Sequence, residues 1–125
     1  MEDIKNGLKY KIKEKTTQNQ SASAMGSGAL DVFSTPSMIA LMEKTSMLCV
    51  ERFLNEAETT VGGAVNIRHK RATAIGGSVV GDCKVISIEG KKIEFEVSVT
   101  ENGIVIGEGY HTRFIVNKEL FMRKL

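Results

Sequence analysis

The sequence predicts an α+β fold, an antiparallel sheet wrapped around one long central helix. Three observations carry that prediction. Residues from about 34 to 54 are apolar or small on nearly every side of a helical cylinder, and they open on hydroxyl residues and the only proline. The chain beyond residue 58 is a series of period-two segments broken by short turns. A single alternating segment precedes the helix.

Residues 8–13, LKYKIK, put Leu8, Tyr10 and Ile12 on one face and lysines on the other, the pattern of a half-buried strand. Residues 16–30, TTQNQSASAMGSGAL, have little to bury and are expected to form a flexible flap. A loop of that length is often functional, and a plain linker is an equal reading. Ser34 or Thr35 can cap the helix that follows, and Pro36 suits its first turn, where a missing N–H costs nothing. The helix is expected to run to about Leu54, roughly 28 Å at 1.5 Å per residue. An all-round apolar helix is a buried one.

Residues 60–68, TVGGAVNIR, read as a strand whose glycine pair marks a bulge or a close approach of backbone or ligand. Further strands are expected over residues 78–88, over IEFEVSVT after the EGKK turn, and over residues 104–116 after the Asn102-Gly103 hairpin signal. NKELFMRKL closes the chain as a short capped helix or tail. One sheet has one face that must be covered, and one long apolar helix can cover it. That arrangement is the hot-dog fold, over a single domain spanning residues 1–125. Its sheet edges are open, and pairing with a second copy would hide them.

The bulk composition narrows the function. A net charge of +2 gives no field for nucleic acid, and no aromatic stacking motif is visible. Cys49 and Cys83 sit in apolar contexts without CxxC spacing, as buried free thiols of a reducing compartment. No apolar run approaches the ~20 residues that span a bilayer, and the first residues lack the apolar core of a secretory leader. The expectation is a cytoplasmic protein with no membrane partner. Two separated histidines and two separated cysteines do not make metal-ligand spacing. GxSxG, P-loop and GxGxxG motifs are absent.

Five residues remain as candidates: Thr35, Glu43, His69, Gly62 and Gly63. Each has a bland reading. Glu43 fits a narrow polar stripe with Lys44, Glu51 and Glu58. Thr35 fits a cap, His69 a solvated strand end, and the glycines a bulge. His111 and Arg113, in the alternating YHTRF, are placed on an outward or interface face. Together the five suggest more. An acid on an apolar helix is disposed by desolvation to act as a general base, and a histidine with free backbone N–H groups can meet an oxyanion. Thr35 and Glu43 lie about 12 Å apart along the helix, so they share a reaction only through a substrate, water or a fold-back.

The segments VFSTPSMIALMEKTSMLCVERFL, ETTVGGAVNIRHKRATAIGGSVV, VISIEGKKIEFEVSV and IGEGYHTRFIV resemble the fluoroacetyl-CoA thioesterase-like branch of the hot-dog superfamily, over roughly residues 30–121. The Thr–x7–Glu and Glu–x25–His spacings match that branch. The resemblance implies hydrolysis of a small acyl-CoA thioester at a site shared between two subunits of a homodimer, a higher oligomer being the alternative. Thr35, Glu43 and His69 take the catalytic positions, and Gly62, followed by Gly63, borders the thioester. Coenzyme A enters as part of the substrate, with no separate cofactor and no metal. Glu43 either activates water or attacks the thioester itself, since both routes use the ionised carboxylate. Gly26 and Ala29 stand where that branch carries aromatic lid residues, so a different or broader small acyl group is expected in place of a strict fluorinated one. Arg68, Lys70 and Arg71 are candidates for the CoA phosphates, or else a solvated strand end. Alternation sets Arg68 and Lys70 opposite His69. The competing reading is a non-catalytic hot-dog module that binds acyl-CoA or a related ligand.

Overall fold

The computed structural model describes residues 3–125. Strand β1 (Lys9–Lys15) leads through a 3-10 turn (Gln18–Gln20) and a one-turn helix α1 (Ala22–Met25) to the long helix α2 (Thr35–Glu51). Four strands follow, β2 (Glu58–His69), β3 (Ser78–Glu89), β4 (Lys92–Glu101) and β5 (Ile104–Asn117), then helix α3 (Lys118–Arg123). All strand pairs are antiparallel, in the order β1-β3-β4-β5-β2.

Helix α2 is about 26 Å long and stops three residues before the expected Leu54. Phe53 and Leu54 donate to Val50 and Glu51, so the last turn tightens to i−3 bonding and the helix cannot propagate. Met38, Leu41, Met42, Cys49 and Val50 of α2 pack on Val79, Val85, Ile93, Phe95, Val97 and Val99 of the sheet. The buried hydroxyls of Thr45 and Ser46 donate to the Leu41 and Met42 carbonyls at 2.7 and 2.9 Å, so the helix satisfies them itself. Ala40, Lys44 and Glu51 remain exposed, which leaves one stripe uncovered where the sequence suggested enclosure all round.

Close packing of α2 depends on glycine at Gly81, where a Cβ would lie 2.6 Å from Thr45 Oγ1. Bulges at Gly62/Ala64, Val85/Ser87 and Val99/Thr100 curl the sheet around the helix. Asn102 and Gly103, both with positive φ, close the β4–β5 hairpin. Cys49 and Cys83 are buried free thiols; Cys83 Sγ donates to the Thr45 carbonyl at 3.7 Å, and the neighbouring Cys49 together with burial pushes the Cys83 thiol up.

The segment 16–30 carries more structure than a loop. Ser21 caps α1, Ala22 and Ser23 donate to Val32 and Leu30, and Phe33 is buried beneath. Its few apolar groups would not order it; backbone and serine hydrogen bonds do. The two sheet edges differ. β1 presents Lys9, Lys11, Lys13 and Lys15 outward, the usual defence of a free edge. β2 exposes Gly62, Gly63, Ala64 and Val65 with no charge among them. No helix among the described residues is long and apolar enough to cross a membrane.

Candidate active site

Two adjacent hydroxyls open α2, and only one caps it. Ser34 Oγ accepts from the Ser37 N–H at 3.1 Å, which leaves the Thr35 hydroxyl free. It reaches Nδ1 of His69, the last residue of β2, at 2.7 Å. His69 Nε2 is buried and has no partner. Burial lowers the pKa of His69 below the ordinary imidazole value, so the ring is neutral at pH 7. When Thr35 donates to Nδ1 the ring proton sits on Nε2, which has no partner within hydrogen-bond geometry, although the Arg71 backbone nearby opposes the fall in the ring's pKa.

A cavity of about 340 Å³ adjoins this pair, lined by Ala22 and Ser27 of the flap as well as Thr35, His69, Lys70 and Arg71. Lys70 and Arg71 have left the strand and follow His69 into this space, contrary to the alternation expected for Lys70. Both backbone N–H groups bond the Ile106 carbonyl, at 2.7 and 3.2 Å, which turns the chain. Lys70 also pairs with Glu108 at 3.1 Å. Arg68 does obey the alternation: it sits opposite Glu108 and lines a separate groove with Asn66 and Tyr110. The sequence-predicted cations are therefore divided between two faces.

Glu43 lies two turns further along α2, against the β2 bulge. A Cβ on Gly62 would come within 2.7 Å of Glu43 Oε2, so a larger residue there would push the carboxylate from its position. The apolar surroundings expected from the sequence are not what this acid meets. Its side chain is 40% exposed, and Arg113 Nη1 stands 3.9 Å from Oε2. Gly63 is the bulged residue and packs under the Phe114 ring, away from the carboxylate.

His111 and Arg113 overturn their expected outward placement. They are 2% and 5% exposed, paired in register with the inward Phe95 and Ile93 of β4. In YHTRF the two alternating sets look equally eligible for the core, and the aromatic set loses: Tyr110 and Phe114 are 56% and 39% exposed. The signal that could have settled the parity was the inward Ile93-Phe95 pair on the neighbouring strand. Arg113 donates from Nε to Thr60 Oγ1 at 2.7 Å and from Nη2 to the Thr60 carbonyl at 2.9 Å. Burial lowers its pKa, while the Glu43 charge opposes that pull.

One chain thus builds two half-sites, Thr35–His69 at the start of α2 and Glu43–Gly62–Arg113 about 12 Å along it. Among the described residues no three His, Cys, Asp or Glu side chains gather closely enough to hold a metal ion.

A curled antiparallel sheet around one helix, with a hydroxyl–imidazole pair and a helix-borne carboxylate facing a glycine bulge, is the build of a hot-dog fold thioesterase. The chain belongs to the FlK family, described as fluoroacetyl-CoA-specific thioesterase, whose model matches residues 14–119. It is 30% identical over 95 residues to the fluoroacetyl-CoA thioesterase of Streptantibioticus cattleyicolor, covering 76% of this chain and 68% of that one. In structure it is similar to a point variant of the fluoroacetyl-CoA-specific thioesterase FlK, with TM-score 0.94, 24% identity, and coverage of 99% and 96% of the two chains. A thioesterase superfamily member from Thermus thermophilus superposes with TM-score 0.89 at 24% identity, covering 99% and 94%. These two likenesses speak to the fold. Family membership makes the chain a thioester hydrolase acting on acyl-CoA.

Proposed function

We propose that this enzyme hydrolyses a small acyl-CoA to the free acid and CoA, with Thr35, Glu43 and His69 as its reacting groups. The observation that carries the reading is the Thr35–His69 hydrogen bond of 2.7 Å beside the cavity, with His69 Nε2 buried and unpartnered. A buried N–H without a partner is costly, and a carbonyl oxygen gaining negative charge is the partner it lacks. Glu43, part-exposed beside the bulge, takes a proton from water as the water attacks the thioester carbonyl, or attacks that carbonyl itself. The tetrahedral oxyanion receives the Nε2 proton as a hydrogen bond. Its collapse releases the CoA thiolate, which takes up a proton, and leaves the free acid on the water route or, on the direct route, a mixed anhydride with Glu43 that water then hydrolyses to the acid. Lys70 and Arg71 at the cavity, with Gly62 at the bulge, border the bound ester; Gly63, under the Phe114 ring, and Arg68, on the other face, are left out of that role.

The two half-sites lie too far apart for one thioester to touch both within a chain, which favours a homodimer in which each subunit completes the other's site. The uncharged stretch at residues 62–65 of the β2 edge is the side that invites pairing, in contrast to the lysine-lined β1 edge. The flap supports a substrate range wider than fluoroacetyl-CoA. Gly26 takes a left-handed conformation at the end of α1, and Ala29 is exposed, so neither supplies an aromatic lid. Two buried thiols left unpaired suit the reducing cytoplasm.

The test is thiol release over a panel of short, branched and aromatic acyl-CoAs with Glu43→Gln alongside. Removing the acid should cost about 10²- to 10⁴-fold in kcat. No release above background from any panel member would turn the reading to a ligand-binding module. Full activity in Glu43→Gln would remove the acid from its role. A monomer by analytical ultracentrifugation at micromolar concentration would contradict the shared site.

A further inference from the structure

His111 is buried, titratable and unused by the chemistry above, and its bonds admit only one arrangement of protons. Nδ1 lies 2.8 Å from the Ala64 carbonyl, which can only accept, so Nδ1 carries the hydrogen. Nε2 lies 3.1 Å from Arg113 Nη1, which can only donate, so Nε2 is bare. The ring is therefore neutral. Burial, the largest influence, and the charge of Arg113 lower its pKa, against opposite pulls from the Ala64 bond and the Glu43 charge. The groups around it are Glu43 from α2, Arg113 from its own strand, Phe95 of β4 stacked at 6.3 Å between centroids, and the Gly62–Ala64 bulge of β2.

The guanidinium of Arg113 is held at all three nitrogens, by Thr60 Oγ1, the Thr60 carbonyl and His111 Nε2. None of these bonds goes to Glu43. At 3.9 Å the cation faces the carboxylate and is too far to hydrogen-bond it. The carboxylate lone pairs stay free for water or substrate.

We propose that His111 is a positioning residue: by accepting the Arg113 N–H while donating to Ala64, it keeps Arg113 from closing onto Glu43 and fixes the bulge beside the carboxylate. Without that acceptor, Nη1 is free to cross the gap and bond Oε2. A charge-assisted Arg–carboxylate bond is strong and would occupy the reacting oxygen. The inference rests on the reading of Glu43 as the reacting acid.

The substitutions separate the two bonds. His111→Asn keeps a donor near Nδ1 and loses the acceptor at Nε2; His111→Gln offers an acceptor near Nε2. Displacement of the carboxylate should lower kcat of His111→Asn about tenfold with KM within twofold, and His111→Gln should recover most of that loss. The double variant His111→Asn/Arg113→Met should be no slower than Arg113→Met alone, because His111 acts through Arg113. Wild-type kcat in His111→Asn, or losses that multiply in the double variant, would overturn the proposal. Long-range ¹H–¹⁵N spectra of the imidazoles give a readout independent of turnover, since the chain has 2 histidines and His69→Ala assigns them. At pH 7 His111 should show a protonated Nδ1 and a bare Nε2, and a protonated Nε2 would refute the arrangement. If wild type hydrolyses no acyl-CoA, the thioesterase reading fails, and the tautomer with the Glu43 ¹³Cδ shift in His111→Asn still decides this one: an unmoved carboxylate signal overturns it.

Discussion

Gly62→Ala is the smallest perturbation that tests whether the carboxylate position matters. The backbone at Gly62 is not in the left-handed region, so alanine meets no conformational strain there. The added methyl would sit 2.7 Å from Glu43 Oε2, 3.4 Å from His111 Cε1 and 3.6 Å from Arg113 Nη1. The last two contacts are tolerable. The first is not, and its relief is a swing of the Glu43 carboxylate by about 0.5 to 1 Å, because the carboxylate is the mobile end of a 40%-exposed side chain. The fold loses little, on the order of 1 kcal/mol or less, at the low end for overpacking. Catalysis loses more: a misplacement near 1 Å costs up to about 10²-fold, or about 2.7 kcal/mol of barrier. Steady-state thiol release and a thermal melt on the same preparation separate the two. The expected result is kcat down about 10- to 100-fold with a Tm within a few degrees of wild type. Unchanged kcat would show that the Glu43 position against the bulge is not what sets the rate, and a collapse of Tm would show that the methyl is absorbed by the fold.

The neighbouring glycine should fail in the opposite way. In Gly63→Ala the methyl meets the Phe114 ring, and a ring is harder to move than a carboxylate; the expected cost is about 1 to 3 kcal/mol of stability, read as a lower Tm in calorimetry, with kcat reduced less than in Gly62→Ala. Thr35→Val removes the hydroxyl that His69 Nδ1 bonds at 2.7 Å while keeping the side-chain shape; kcat should fall about 10- to 100-fold, and Thr35→Ser should retain most activity. Burial lowers the pKa of both His69 and His111, so the unfolded chain binds protons at higher pH than the native one. Their contribution to stability is full above the unfolded histidine value near ~6.5 and is lost as pH falls below it. Tm should therefore drop between pH 7 and pH 5, and less steeply in His111→Gln; an unchanged slope in that variant would count against a depressed His111.

The elements were legible wherever a local period decided them. β1, β3 and β4 follow the alternation of single side chains, and the hairpin at Asn102-Gly103 follows from the positive φ that Asn and Gly tolerate. Thr35 and Ser34 were not separable by sequence, because either hydroxyl can cap. Only the fold shows that Ser34 takes the cap and so releases Thr35 toward a residue 34 positions away. The flap is a similar case: Ser21, Ser23 and their bonds to the chain near Val32 order a stretch whose composition offers no core.

His111 and Arg113 were misplaced for a different physical reason. Alternation gives two faces and does not say which is inward; polarity was the usual guide, and here it points the wrong way. Arg113 is tolerated inside because Thr60, 53 residues earlier, satisfies two of its nitrogens and His111 a third. No local pattern encodes a partner at that separation, since the β2–β5 register and the bulge at Gly62/Ala64 create it. The same bulge explains why the glycine pair was readable while its purpose was not. Gly62 is small because a carboxylate from another element fills the space, and Gly63 because an aromatic ring does. Buried polar groups of this kind rarely improve on an apolar core for stability alone. A guanidinium fixed on three sides and 3.9 Å from Glu43 without bonding it fits the role proposed for that carboxylate, whose oxygens it leaves free.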